Sequence, residues 1–319
     1  MADIICFGDL LIDFVPTQTG TGLIDAPAFK KAPGGAAANV AVGLARLGVA
    51  SAFMGKVGND PFGHFLAQTL EAEGVDIRPL RFDPTARTSL AFVSLREDGE
   101  REFLFYRENS ADQNFRVSEI DKAAIEAARI FHFDSISLAA ERARGTTLAA
   151  ADIAADAGLT ISYDVNLRPA LWADLDAARP TILAGLRRAS IVKLSEEELA
   201  FLAANGDLER ACQQLWHPAM KLLIVTRGAE GCTVVTERCV SEITSIAVTP
   251  VDTTGAGDGF VAGLLQGLVG GDAYLEDDGA LRELCRFANA VGALTTTERG
   301  AIPALPRRDA VLAALARAE

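Results

Sequence analysis

Histidine, tryptophan and methionine are scarce in this chain of 319 residues, with three, two and three copies. His64, His132 and His217 are scattered and have no evident acid or nucleophile partner, so each reads as structural. Trp172 and Trp216 need no role beyond packing. The five cysteines are odd in number and form no C-x-x-C pair, which argues against a zinc site or disulfide scaffold and for reduced thiols. Basic residues are outnumbered: 30 Lys and Arg face 43 Asp and Glu, for a net charge of −13. Nucleic acid and anionic membranes both need a basic face, so neither is expected as a partner. A local electropositive pocket for phosphate remains possible at this charge. No apolar run reaches the roughly 20 residues of a membrane span. The start, Met1-Ala2-Asp3-Ile4-Ile5-Cys6, lacks the basic residues and long apolar run of a secretory signal, and a cytoplasmic location is expected. Also missing are a Pro- or Ser-rich linker, a repeat and a low-complexity tract, so residues 1–319 are expected to form one domain.

Half of the residues are apolar and 23% are charged, enough for a large buried core. Short β-rich runs alternate with longer helical ones. Ile4–Phe7, Ala52–Val57, Ile130–Phe133, Thr160–Tyr163, Ile191–Leu194 and Leu222–Thr226 read as strands. Ala36–Leu47, Pro61–Glu73, Ala139–Ala157 and Asp176–Arg188 read as helices, the second started by Pro61 and stopped by Gly74. Such alternation implies parallel βαβ units with right-handed crossovers, and so a doubly wound sheet with helices on both faces. One region breaks the pattern. Leu90–Leu95 and Glu102–Tyr106 flank the turn signal Glu97-Asp98-Gly99-Glu100 and predict a hairpin. With Leu10–Val15 and the segment around Ala26–Lys30 they predict a small discontinuous β-lid, drawn from about 10–32 and 85–110.

The stretch Pro250-Val251-Asp252-Thr253-Thr254-Gly255-Ala256-Gly257-Asp258-Gly259-Phe260 feeds a helical run, Val261–Leu268. A glycine-rich turn at a helix start exposes backbone N–H groups backed by the helix dipole and binds anions. Gly255 and Gly257 lack Cβ atoms, so a phosphate can approach the backbone closely. Asp258 either caps the helix or accepts the proton of an attacking hydroxyl while the N–H groups hold a phosphoryl group. The dipole is expected to keep it ionised, as a weak base. The spacing is not a Walker A loop, since no Gly-Lys-Ser/Thr follows. Nor is it a dinucleotide G-x-G-x-x-G, since Phe260 takes the third glycine's place. Gly34-Gly35 reads either as a plain turn or as a second point of close backbone approach. Asn39, just beyond, can both donate and accept hydrogen bonds to hydroxyls. Asp13 can accept two hydrogen bonds from neighbouring hydroxyls, or simply face solvent. Ser195 and Glu198 form an S-x-x-E capping box, a sufficient structural explanation for both. Thr226-Arg227-Gly228-Ala229-Glu230-Gly231 reads as a glycine hairpin before Cys232–Val235.

Together these segments resemble the PfkB family of ribokinase-like carbohydrate kinases over essentially the whole chain. Asp252-Thr253-Thr254-Gly255-Ala256-Gly257-Asp258 is similar, residue for residue, to the family's second signature, and Gly34–Ala41 to its first. The resemblance implies a three-layer α/β/α sandwich with a mostly parallel central sheet and a small β-sheet lid, and an ATP-dependent kinase using Mg2+. It implies Asp258 as catalytic base, with Gly255, Ala256 and Gly257 forming the anion hole. Asp13, Gly34, Gly35 and Asn39 become sugar ligands. Nucleotide contacts are implied for Lys193, Ser195, Thr226, Gly228, Gly231, Ala256 and Asn289. Glu198 would organise magnesium through water, and Asp252 and Thr254, with the segment around Thr296–Gly300, would hold a monovalent cation such as K+.

Tyr106–Asp112 and Tyr163–Pro169 resemble the fructokinase branch and the related 2-keto-3-deoxygluconate kinases, implying sugar contacts from Tyr106, Arg107 and Arg168. Arg168 taken alone is equally an ordinary surface ion pair. Ser195 in place of the family's usual Asn, Phe29–Gly35 and Glu298–Pro306 tilt the resemblance to fructokinases. It then implies phosphorylation of fructose at the 6-hydroxyl, with the keto acid as alternative and a non-catalytic sugar-binding homologue as a third class. Val165 and Asp134 stand where fructokinases usually carry Pro and Gly, and Gln113 replaces a common Met. Asp134 adds a charged side chain to the sugar-pocket wall. Related kinases pair through their lids, so a homodimer is expected, with Phe92, Phe103 and Phe105 available for contacts.

Overall fold

Strands buried on both faces are predominantly apolar, and the strands Ile4–Phe7, Ser51–Gly58 and Ile130–Asp134 are buried along their whole length. The computed structural model describes residues 1–18, 20–95, 101–203 and 207–318. The strands among them are β1 (Ile4–Phe7), β2 (Leu11–Pro16), β3 (Phe29–Gly34), β4 (Ser51–Gly58), β5 (Leu80–Asp83), β6 (Leu90–Leu95) and β7 (Arg101–Tyr106). The second half of the chain adds β8 (Ile130–Asp134), β9 (Thr160–Asp164), β10 (Ile191–Ser195), β11 (Leu222–Thr226), β12 (Cys232–Val235) and β13 (Val240–Ile243). Nine of them form one sheet in the order β13-β12-β11-β10-β9-β8-β1-β4-β5. From β11 across to β5 all neighbours are parallel. β12 and β13 add an antiparallel edge.

The period-two alternation of each strand assigns its residues to two cores. Ile4 and Cys6 of β1 pack with Leu44, Leu66, Leu265 and Val291, from the helices Ala36–Arg46, Pro61–Ala72, Ala256–Leu268 and Asp278–Thr295. Ile5 and Phe7 pack with Ala150, Ile182 and Cys212, from Glu141–Asp156, Leu175–Leu186 and Leu208–Leu215 on the opposite face. The result is the expected three-layer α/β/α sandwich. A Cβ on Gly263 would lie 2.8 Å from Ala288 Cα, so the Ala256–Leu268 and Asp278–Thr295 helices meet backbone to backbone. That contact fixes the helix start that carries Asp258. No helix of the described residues is long and apolar enough to cross a membrane.

A second sheet has the order β3-β2-β6-β7. β2 pairs antiparallel with β3 and parallel with β6, and β6 pairs antiparallel with β7 as the hairpin signal predicts. The turn Glu97-Asp98-Gly99-Glu100 and the side chain of Phe103 lie outside the described residues. Phe92 stacks on Phe14 at 5.0 Å and meets Phe29 edge-on at 5.3 Å, so Phe92 is spent largely within the sheet.

Three differences from the sequence reading have simple causes. β5 (Leu80-Arg81-Phe82-Asp83) and β13 (Val240-Ser241-Glu242-Ile243) are the two outer strands of the large sheet, and their polar residues hide the strand signal. The extended segment expected near Ala26–Lys30 is β3, shifted toward the Gly34 turn because its pairing with Leu11–Pro16 sets its length. The helix expected from Val261 begins at Ala256, because Gly255 supplies the left-handed residue at its start.

Candidate active site

The large sheet changes direction between β1 and β8: β4 and β5 lie on one side, β9 to β11 on the other. In open α/β sheets ligands bind at such a switch point, outside the carboxyl ends of the strands. Asp9 follows β1, and Asp134, Asp164, Ser195 and Thr226 end β8, β9, β10 and β11. The site is assembled from these ends and from two helix starts.

The Ala256–Leu268 helix begins at Gly255, whose φ of 78° is left-handed and suits glycine. No side chain caps this helix, whereas Asp60, Ser195 and Asp277 cap three others. Ala256 N–H reaches Thr253 O at 3.3 Å. The Gly257 and Asp258 N–H groups sit in a first turn, which has no acceptor inside the helix. Asp258 is therefore not the cap. Its Oδ2 accepts a 2.7 Å hydrogen bond from Asn39 Nδ2, at the start of the other helix. Asn39 is 5% exposed, and its Oδ1 has no hydrogen-bond partner among the described residues. A Cβ on Gly257 would lie 2.9 Å from Lys193 Nζ, so the ammonium sits directly against this helix start and a side chain there would displace it.

Burial pushes the Asp258 carboxyl up to about 6, with Asp164 adding to the rise and Asn39, Arg168 and Lys193 opposing it. The expected weak base is thus corrected. Desolvation outweighs the helix dipole, and Asp258 is a stronger base than an exposed carboxylate while still ionised at neutral pH. Lys193 Nζ lies 3.0 Å from Asp164 Oδ1 in a buried ion pair. Burial alone would discharge it, but Asp164, Glu198 and Asp258 outweigh that and hold it protonated.

Asp13 stands on β2 above the same space. Burial pushes its carboxyl up to about 7, and the charges of Asp9, Asp252 and Asp258 push further in that direction. A side chain on Gly34 would collide with this carboxyl group. Gly35, with φ of 114°, has no room for a Cβ, which would lie 2.9 Å from Leu10 Cα. The structure therefore brings Asp13, Gly34, Gly35, Asn39, Gly255, Ala256, Gly257, Asp258 and Lys193 together.

The remaining candidates fall into two groups. Ser195 Oγ accepts from Glu198 N at 3.3 Å, and Glu198 Oε2 accepts from Ser195 N at 2.7 Å, which completes the capping box. Glu198 Oε1 also accepts from Leu167 N at 2.7 Å. Burial raises the Glu198 carboxyl, with Lys193 pulling the other way. Thr226 Oγ1 donates to Leu194 O at 3.4 Å, and Gly228 and Gly231 take φ of 54° and 104° in the following turn. Asn289 Nδ2 donates to Ile243 O at 3.0 Å, so this amide ties its helix to the end of β13. Asp252 Oδ1 accepts from Thr254 N and Oγ1 at 3.0 and 2.7 Å, while its Oδ2 accepts from Gly300 N at 2.9 Å. Among the described residues no group of three or more His, Cys, Asp or Glu side chains stands ready to hold a metal.

On the sugar side, Tyr106 is 60% exposed and packs edge-on against Phe92. Arg168 is exposed, with Nη1 donating to Leu167 O at 3.3 Å. Arg107 is buried against Asp112 and Asp9 rather than open to solvent. His132 is structural, as expected: burial holds its imidazole down at about 4, and Nδ1 meets Ser162 Oγ at 3.0 Å. Sequence reasoning did not single out Asp9, Asp112 or Asp164. Asp164 becomes legible only through the β9–β10 register, which sets it directly beside Lys193.

This crowding of acids predicts a measurable cost. Asp13 titrates at about 7 in the folded protein, above the roughly 3.9 of an unfolded chain. It therefore disfavours folding above pH 7, and the penalty disappears as pH falls toward about 4. Asp13→Asn is expected to raise Tm at pH 8 by about 2–4 °C for each kcal/mol relieved, and by less at pH 5. Melting followed by circular dichroism checks this, and an Asp13→Asn protein no more stable than wild type at pH 8 contradicts it.

Comparison with known proteins agrees with this geometry. Residues 1–308 match the sequence profile described as pfkB family carbohydrate kinase. A probable fructokinase-7 of Arabidopsis thaliana is 53% identical over 311 residues, 97% of this chain and 91% of the relative. Among solved structures, the fructokinase of Xylella fastidiosa with bound ATP superposes with a TM-score of 0.91 at 37% identity, covering 99% of both chains. The fructokinase of Vibrio cholerae O395, with fructose, ADP and calcium ion bound, gives 0.88 at 40% identity over 99% of each chain. With a switch-point site built on an uncapped helix start, and relatives matched almost end to end, this chain belongs to the pfkB family of carbohydrate kinases.

Proposed function

We propose that this protein is an ATP-dependent fructokinase that phosphorylates D-fructose at its 6-hydroxyl, giving D-fructose 6-phosphate and ADP. The observation that carries the reading is Asp258, hydrogen-bonded to Asn39 beneath the open first turn of its helix, with Lys193 alongside. Support for the substrate comes from the relatives, which are named fructokinases, one of them with fructose and ADP bound.

The chemistry follows from these groups. Asp13 and the free Oδ1 of Asn39 accept hydrogen bonds from sugar hydroxyls and orient the primary hydroxyl toward Asp258. Asp258 takes the proton of that hydroxyl as the O6–P bond forms and the bond to the ADP oxygen breaks. Proton removal is needed only late in a loose phosphoryl transfer, so a base near pKa 6 is adequate. The Gly257 and Asp258 N–H groups and Lys193 stabilise the equatorial oxygens of the group in flight. Magnesium, riding on the nucleotide phosphates, would supply further positive charge. Glu198 fits a water-mediated role, since both of its carboxylate oxygens already accept backbone N–H groups. The Asp252–Thr254 loop, tied to Gly300, is the segment that would hold K+ and supply a fixed charge behind the anion hole. Arg168, exposed near Asp258, favours the alternative of 2-keto-3-deoxygluconate as substrate. A cytoplasmic location fits five free cysteines.

The test is a coupled assay with saturating MgATP across fructose, ribose, glucose and 2-keto-3-deoxygluconate, with the phosphorylated carbon identified by NMR. Fructose is expected to give the highest kcat/KM, and Asp258→Asn to lower kcat by roughly 10²–10⁴-fold while remaining folded. A preference for the keto acid refutes the substrate, near-wild-type turnover by Asp258→Asn refutes the base, and no turnover at all returns the chain to a sugar-binding role.

The second sheet exposes Leu104 (47%) and Tyr106 (60%). We read it as the lid through which two copies pair, a homodimer that also shields the transferred group from water. Light scattering is expected to give twice the chain mass at micromolar concentration; a fully active monomer contradicts the pairing.

A further inference from the structure

On the sequence alone Arg107 and Arg168 could equally recognise a substrate carboxylate, yet Arg107 has its charge already spent. It is 8% exposed, with Nη2 2.5 Å from Asp112 Oδ2 and Nη1 3.7 Å from Asp9 Oδ2. Asp112 is equally buried, and its Oδ1 lies 2.5 Å from both Ser89 Oγ and Ser110 Oγ. One oxygen of the carboxylate is thus pinned by hydroxyls and the other by the guanidinium, so the pair cannot swing apart. Burial would raise the Asp112 carboxyl, but Arg107 and the two hydroxyls hold it below the usual range, ionised.

The pair adjoins the sugar subsite. Asp9, on the other side of Arg107, accepts at Oδ1 from Ala36 N at 3.2 Å, directly after Gly35, and its charge is felt by Asp13. Asp9, Arg107, Asp112 and Gln113 also line a cavity of about 200 Å³. Among the described residues Arg107 is the one basic side chain that lines it, and its charge is already paired. A carboxylate entering here would meet Asp9 and Asp112, which line the cavity. Freeing Arg107 to receive it would strand the buried Asp112 charge, a costly exchange.

We propose that Asp112 is a positioning residue that sets substrate class: by neutralising Arg107 it reserves the pocket for neutral sugars and turns away sugar acids. The proposal rests on the fructose reading above and deepens it. Asp112 acts through Arg107, so its signature is a change in preference rather than a general loss of activity.

The experiment compares wild type, Asp112→Asn and Asp112→Glu with fructose and with 2-keto-3-deoxygluconate. Asn keeps the size and an acceptor for the serines but releases the guanidinium. The ratio of kcat/KM for fructose over the keto acid is expected to fall at least about tenfold in Asp112→Asn, the worth of one charge-assisted hydrogen bond. The change should lie mainly in KM for the keto acid, and Asp112→Glu should restore the fructose preference. Sorbitol and gluconate, as inhibitors competing with fructose, provide a readout on wild type alone if Asp112→Asn does not fold. Sorbitol should bind the tighter of the two, and tighter gluconate overturns the proposal. A wild type that prefers the keto acid overturns the substrate reading and this proposal together. A wild type that prefers fructose, with a ratio that moves less than about threefold in Asp112→Asn, overturns this proposal alone.

Discussion

The hydrogen bond from Asn39 to Asp258 joins two helix starts that are 219 residues apart in the chain. Both helices pack on the same face of the large sheet, and each begins with a glycine at positive φ, Gly35 and Gly255. The bond leaves one amide oxygen free for a ligand and fixes the carboxylate under the first turn of the second helix. Everything else in the site is arranged around that fixed carboxylate. Lys193 lies against Gly257 at the same helix start, close enough for its charge to act on Asp258, and is held in turn by Asp164 on the neighbouring strand.

The arrangement is costly. Asp9, Asp13, Asp134 and Asp258 are all raised by burial and by neighbouring carboxylates, Asp112 in the case of Asp9 and Asp164 in the case of Asp258. Asp134 Oδ2 has no hydrogen-bond partner among the described residues, a polar group left unsatisfied beside the pocket. The rest of the fold supplies the stability that such a site consumes. The two faces of the large sheet feed two separate cores, and glycine-mediated contact holds the Asp258 helix directly on its neighbour. Active sites commonly trade stability for reactivity in this way.

How much of this was legible in the sequence depended on the kind of signal. The central strands carried their identity in short β-rich runs, and the hairpin in its turn residues. The outer strands β5 and β13 did not, because half their residues are polar and break the apolar run. Glycines and acids of the site stood out through the family resemblance, and the capping box of Ser195 and Glu198 through its own spacing. What stayed hidden were pairings made across the fold. Asp164 beside Lys193 depends on strand register, and Asp112 beside Arg107 depends on how the chain turns after β7. The basicity of Asp258 was misread for the same reason: the helix dipole is visible in sequence, whereas desolvation exists only once the chain is packed.

The claim that a desolvated Asp258 is the proton acceptor is tested most directly by the pH dependence of kcat/KM for fructose at saturating MgATP. Asp258 is ionised above its folded value of about 6 and protonated below it. A protonated carboxyl cannot accept the hydroxyl proton. Activity should therefore be highest at neutral to slightly alkaline pH and fall with an acid limb between about 6 and 7, the upper end set by Asp13. A profile that stays flat down to pH of about 5, where an ordinary exposed carboxylate is still ionised, would contradict the account.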